Sequence, residues 1–209
     1  MRARTRSLTE MIALAATLTW PAAAGAAEPP PVPETDKSDY MLVYASHAEP
    51  KPTDPVPLRF GGIKVTRVKF IKPVKDGIEG ASAQFQVDLT SLKSDSDKRD
   101  KHLKSPDYLD VAKFATITVD VASPRHIGDG NYRAPAKVAF RGKTYEWEVF
   151  FKVVETLPDG VRIRGEHKLT RKQIGVGKEA GDSVGQDLLV RLQLTLKSDA
   201  KPRSRSGSR

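Results

Sequence analysis

From residue 83 onward, apolar side chains recur at every second position, in one run after another. A period of two is the spacing of one face of a β-strand. In Ala83–Leu89, Ala83, Phe85, Val87 and Leu89 share a face against Gln84, Gln86 and Asp88. In Thr116–Ala122 the set is Ile117, Val119 and Val121, and in Tyr132–Phe140 it is Tyr132, Ala134, Ala136, Val138 and Phe140. Thr144–Val154 sets Tyr145, Trp147, Val149, Phe151 and Val153 against Glu146, Glu148 and Lys152. Val161–Leu169 and Asp187–Lys197 continue the pattern, the latter with Leu188, Val190, Leu192, Leu194 and Leu196. The turn signals Gly128-Asp129-Gly130-Asn131, Arg141-Gly142-Lys143 and Pro158-Asp159-Gly160 separate the runs.

Long alternating strands joined by short turns predict antiparallel neighbours with one wet and one dry face. Tyr40–Ser46 and Leu58–Phe70, the second broken at Gly61-Gly62, add two strand candidates around a loop rich in proline (Pro50, Pro52, Pro55, Pro57). An all-β fold follows, with six to eight strands closing into a barrel that removes the sheet edges. The rhythm breaks once, between Ser91 and Phe114. There the helix formers of Lys98–Lys104 follow Asp97, a suitable N-cap, and stop at Pro106. A short helical insertion is expected around residues 97–112.

The N-terminus predicts a secretory signal peptide over residues 1–26. Arg2, Arg4 and Arg6 precede an apolar stretch from Met11 to Trp20, and Ala24-Gly25-Ala26 offers a cleavage site. The apolar stretch is about half the roughly 20 residues a spanning helix needs. The predicted destination is the periplasm. Residues 27–37 read as a proline-rich linker, 38–197 as the barrel domain and 198–209 as a disordered basic tail. With no cysteine, the chain has no disulfide, thiolate metal site or lipid-anchoring cysteine. Stability must come from core burial.

The net charge of +9 does not imply nucleic acid, because of where it lies. Residues 197–209 hold Lys197, Lys201, Arg203, Arg205 and Arg209 against Asp199 alone, and the leader holds three more arginines. The basic excess belongs mainly to these appendages. It suits weak contact with an anionic membrane surface or envelope polymer, or simple solvation.

The helical segment and its flanks resemble the YceI-like family of polyisoprenoid- and lipid-binding, lipocalin-like periplasmic proteins. The carrying residues are Val87-Asp88-Leu89-Thr90-Ser91-Leu92, Arg99-Asp100-Lys101-His102-Leu103, and Asp107-Tyr108-Leu109-Asp110-Val111-Ala112-Lys113-Phe114. Looser matches are Arg141-Gly142-Lys143-Thr144, Leu169-Thr170-Arg171-Lys172-Gln173-Ile174-Gly175 and Val184-Gly185-Gln186-Asp187. The resemblance spans about residues 79–197. It implies an extended, eight-stranded antiparallel barrel whose long internal pocket holds an isoprenoid, quinone or fatty-acid-like lipid. It also implies a binding protein, not an enzyme, with no cofactor.

The residues themselves show no catalytic constellation. His47, His102, His126 and His167 are scattered without metal-ligand spacing, so no metal is expected. His102, inside the family-like motif, is expected to anchor the helix to the barrel end. His167 lies on the apolar side of its strand, as a satisfied core histidine or a polar anchor on a pocket wall. If the barrel is hollow, Phe85, Val87, Ile117, Val119 and Phe140 line the pocket. Trp147, Val149, Phe151, His167, Leu192 and Leu194 complete that lining. If it is filled, the same residues are core, and the basic surface and tail would bind an anionic envelope partner. Arg99, Lys101 and Lys104 are head-group candidates at the mouth or a solvated helix face. Oligomeric state is open, with a dimer among the possibilities.

Overall fold

The computed structural model describes residues 33, 35–47, 55–177 and 184–198. The expected signal peptide and almost all of the basic tail lie outside the described residues. The principal strands are β1 (Tyr40–His47), β2 (Val56–Phe60), β3 (Ile63–Lys69), β4 (Ser82–Asp88) and β6 (Thr116–Ala122). They continue with β8 (Asn131–Phe140), β9 (Lys143–Leu157), β10 (Gly160–Thr170) and β11 (Val184–Lys197). Short β5 (Leu92–Lys93) and β7 (Arg125–Gly128) pair with β2 and β8. All pairings are antiparallel, in the order β3-β4-β6-β8-β9-β10-β11-β1-β2-β5.

β2 and β3 stand near opposite ends of that path, yet only Gly61-Gly62 separates them in the chain. The sheet must therefore curl round to meet itself. Counted as one kinked strand, β2 and β3 bring the principal strands to the expected number of about eight. The kink requires glycine. A Cβ on Gly62 would stand 2.9 Å from the Asp88 Cβ and 3.0 Å from the Ser91 Oγ. Its N–H instead donates to the Ser91 hydroxyl at 3.0 Å, and its carbonyl accepts from Asp88 N at 2.7 Å.

Two of the expected turns are tight hairpins. Arg141 and Gly142 link β8 to β9 with φ of 48° and 73°, and Asp129 and Gly130 link β7 to β8 with 50° and 74°. Two consecutive left-handed residues give the turn whose twist matches that of the strands it joins. Pro135 interrupts β8 without breaking it. β6 pairs with β8 as far as Ala136 and β7 pairs with it only up to Arg133, so Pro135 falls at the gap between these two partners.

The dry face carries the main core, with β8 alternating buried and exposed over its whole length. β1 departs from the expectation of one wet face. On its outer side Tyr40, Leu42 and Tyr44 form a second buried cluster with Leu189. The guanidinium groups of Arg59 and Arg191 lie over the Tyr40 and Tyr44 rings, both at 5.3 Å. The last residues before β1 are tied down as well. The buried Gln193 donates to the carbonyls of Asp36 at 2.8 Å and Ser38 at 2.7 Å.

The helical insertion is α1 (Asp97–Leu103), followed by turns to residue 113. Its N-cap is Ser96, not the expected Asp97. The Ser96 hydroxyl accepts from Arg99 N at 3.4 Å, while Asp97 occupies the first helical position. A carboxylate there still suits the positive end of the helix. One further short helix, α2 (Arg171–Ile174), carries a capping box: Thr170 and Gln173 satisfy each other's backbone N–H groups. Gly175 ends it in the left-handed conformation at φ 64°.

Candidate functional site: an apolar cavity inside the barrel

Alternation sends every second residue of each long strand inward, and together these residues line a cavity of about 270 Å³ with an almost wholly apolar wall. Phe85 and Val87 of β4, Ile117 and Val119 of β6 and Phe140 of β8 all stand on that wall. So do Trp147, Val149 and Phe151 of β9, His167 of β10, and Leu192 and Leu194 of β11. The structure brings the eleven together around one space.

The wall has contributors that the alternation argument did not reach. Met41 and Val43 of β1 and Leu58 and Phe60 of β2 line it. Both strands were expected, but their inward residues were not assigned to the pocket. Leu103 of α1 and Tyr108 behind it close one end, joined by Ile174 and Val176 beside α2. Their signal was present in the spacing of α1, which turns only Leu103 and Asp100 into buried positions.

The head-group candidates do not join the wall. Arg99 pairs with Asp95, Lys101 is exposed, and Lys104 is half-buried where α1 ends. The cation that reaches the cavity wall is Arg171, which is 2% exposed. It donates to the carbonyls of Gly185 at 2.9 Å, Val176 at 3.0 Å and Val184 at 2.7 Å. One guanidinium thus fastens β11 to the turn after α2, a use suited to its rigid fork of donors.

Polar chemistry inside the barrel is sparse. His167 is half-buried and stacks on Trp147 with ring centroids 5.3 Å apart, and Trp147 stacks on Tyr145 at 5.5 Å. Burial pushes the His167 imidazole below its ordinary value, which favours the neutral ring at neutral pH. The Tyr145 hydroxyl donates to the Ile174 carbonyl at 3.2 Å, pinning this stack to α2. His102 is exposed and meets Tyr108 edge-on at 4.8 Å. His126 lies 5.1 Å from the Tyr132 ring, and the His47 side chain lies outside the described residues. Among the described residues no group of three or more His, Asp or Glu side chains is placed to hold a metal.

The Asp100 carboxylate, 4% exposed, holds the other side of the closed end. It accepts from Ser94 N at 2.8 Å and from the Ser94 hydroxyl at 2.7 Å, with Lys93 Nζ at 3.6 Å. Burial alone would raise its pKa, but the Ser94 hydrogen bonds and the Lys93 charge outweigh burial and hold it below the usual carboxylate value.

The model of the YceI-like domain matches residues 59–196. This chain belongs to the YceI-like domain family. The match begins near the end of β2, ahead of the motifs that carried the resemblance, and takes in all of β3. Among curated relatives, a UPF0312 protein of Azotobacter vinelandii is 25% identical over 121 residues, 55% of this chain and 63% of that protein. A UPF0312 protein of Vibrio cholerae is 31% identical over 67 residues, 32% of this chain and 35% of that protein. The chain thus spans less than two thirds of the length of these relatives.

Solved structures share the YceI-like fold. Burkholderia cenocepacia BcnA aligns with a TM-score of 0.63 at 18% identity, over 74% of this chain and 95% of that one. A polyisoprenoid binding domain from Saccharophagus degradans, implicated in plant cell wall breakdown, aligns with a TM-score of 0.59 at 13% identity. That alignment covers 77% of this chain and 94% of the other. At these identities the likeness is one of fold.

Proposed function

We propose that this protein is a non-catalytic periplasmic carrier of a single long-chain amphiphile, an isoprenoid, quinone or fatty-acid-like lipid, held inside the barrel. The supporting observation is the cavity itself. An apolar space offers water no hydrogen-bond partners and stays dry. Left empty, about 270 Å³ would cost on the order of 6 kcal/mol at roughly 24 cal/mol per Å³. That is comparable to the entire stability of an ordinary domain, about 5–15 kcal/mol. An apolar chain filling the space recovers dispersion contacts and removes its own surface from water. The polyisoprenoid-binding description of the Saccharophagus degradans domain favours the same ligand class.

The eleven inward residues then form the ligand's contact surface, and Trp147 and His167 are its polarisable, weakly polar section. Residues 1–26 serve as the export signal, removed near Ala26, and residues 38–197 as the binding domain. The test is native mass spectrometry of protein purified from periplasmic extract without detergent, followed by organic extraction. An adduct of lipid mass that extraction removes, with a fall in melting temperature, is the expected result. An apo mass after gentle isolation, with melting unchanged by extraction, would sink the reading. N-terminal sequencing of the same sample checks export by locating the mature start near Ala27.

A further inference from the structure

β9 and β10 pair only from Leu157 and Gly160 as far as Phe151 and Gly165. Beyond that point, towards α2, β9 continues along β8 and β10 along β11, and the barrel wall is split between them. Exposure marks the split. Tyr145, Trp147, Val149 and Phe151, the inward residues of β9, are half-buried, whereas their partners on β8 are buried. Phe150 and Glu166, which alternation turns outward, border the cavity here, so the cavity reaches the outer surface at this place. The Trp147 and His167 rings meet across the split, with centroids 5.3 Å apart.

The two barrel ends are less suited to a ligand's polar group. At the α1–α2 end Arg171 already donates to three carbonyls. The opposite end, formed by the loop 70–81 and the segment 123–130, exposes Ile71 and Ile127, and Phe70, Ile78 and Pro124 line the cavity there. His167 differs from both. Its ring stacks on Trp147 and, among the described residues, takes part in no hydrogen bond. A neutral imidazole, the form burial favours here, offers one N–H donor and one lone-pair acceptor. The outward charged residues along the split are Glu146 and Glu148 on β9 and Glu166 and Lys168 on β10. Lys137, Arg133 and Arg191 already pair with the three carboxylates. An anionic group in the split would leave water beside an acidic border, and a cationic one would find those carboxylates taken.

We propose that the split between β9 and β10 is the subsite for the amphiphile's polar group, and that this group is an uncharged oxygen, a hydroxyl or a carbonyl, hydrogen-bonded to His167. The apolar chain runs from the split into the cavity. Largely apolar pockets fix a ligand's orientation with a few placed polar groups, and His167 fills that role here. This inference rests on the amphiphile-binding reading and narrows it to alcohols and carbonyl compounds, at the expense of free carboxylates.

Trp20 and Trp147 are the two tryptophans, and Trp20 lies in the leader, so tryptophan emission reports the subsite. The test titrates protein freed of lipid by organic extraction with dodecanol, dodecyl methyl ketone, dodecanoate, dodecylamine and bromododecane at neutral pH. The alcohol and the ketone should bind at least about tenfold tighter than either charged probe and should protect Trp147 from acrylamide quenching. H167L should weaken the alcohol and the ketone about tenfold and leave bromododecane, which has no oxygen, unchanged. H167Q, which keeps a donor and an acceptor, should restore most of that loss. A charged probe binding as tightly as dodecanol, unchanged acrylamide quenching, or wild-type preferences in H167L would each overturn the proposal while the cavity reading stands. The comparison of charged with uncharged probes uses the wild-type protein and holds even where a variant fails to fold. Failure of every probe to bind, bromododecane included, would overturn the cavity reading as well.

Discussion

The two ends of the barrel are built on opposite principles. At the α1–α2 end, charged groups are buried and held by hydrogen bonds: Arg171 on three carbonyls, Asp100 through one oxygen on Ser94. At the other end, apolar groups are exposed and the ion pair on the loops, Lys72 with Glu79 at 2.6 Å, lies near the surface. Buried charges are costly unless every partner is in place, so an end that uses them has one geometry. Exposed isoleucines on loops impose no such demand. One end is a fixed plug and the other an adaptable rim, an asymmetry that suits a pocket with a single entrance.

The sharpest way to break that contrast is Arg171→Leu. It leaves the carbonyls of Val176, Val184 and Gly185 without their donor, and no leucine conformer can replace three hydrogen bonds. A loss of about 3–5 kcal/mol is expected from urea unfolding, as for other disrupted buried charge networks. A loss below about 1 kcal/mol would mean that the turn after α2 is not part of a rigid plug.

Asp100→Ala should come next, at about 2–3 kcal/mol, since it strands the Ser94 N–H and hydroxyl. Its pH dependence separates charge from packing. The folded carboxyl is held below its unfolded value near 3.9. The unfolded chain therefore takes up the proton first as pH falls. Wild-type stability from this group is complete above about pH 5 and drains away as pH drops through the folded value. The gap between wild type and D100A should narrow over that acid range, as read from urea midpoints at pH 7 and about pH 3. A constant gap would assign the loss to packing.

Much of the plug and barrel was legible because period-two runs leave little choice about which side chains face inward. All eleven residues so selected meet on one wall. What the alternation could not reveal was whether they close on each other or on a space, since hydrophobicity is the same in both cases. The space depends on barrel diameter, and that on pairing register. The cation on the cavity wall was hidden for a related reason. Arg99, Lys101 and Lys104 advertise themselves on a helix, whereas Arg171 sits in a short Thr-Arg-Lys-Gln turn whose burial only the fold imposes. Ser96 was passed over as the cap because Asp97 and Ser96 are both good caps one residue apart, and pairing with Arg99 N selects between them.

A smaller test of the plug is Ser96→Ala. It removes that single acceptor at the start of α1 and should cost about 1 kcal/mol. Because Ser96 is set in the same turn as Ser94 and Asp100, the D100A/S96A double variant should lose less than the two singles added together. Strict additivity would show that cap and carboxylate hold the helix independently.

The smallest expected change is at the opposite rim. Ile71→Ser and Ile127→Ser remove side chains that are already half or more in water, so each should shift stability by no more than about 0.5 kcal/mol. Small effects here are informative because residues of the same type inside the barrel would cost several times more. A loss above about 1 kcal/mol at Ile71 would show its side chain bearing on the loop core through Gly80. The rim would then be a second plug, and the ligand's route would have to be sought between strands.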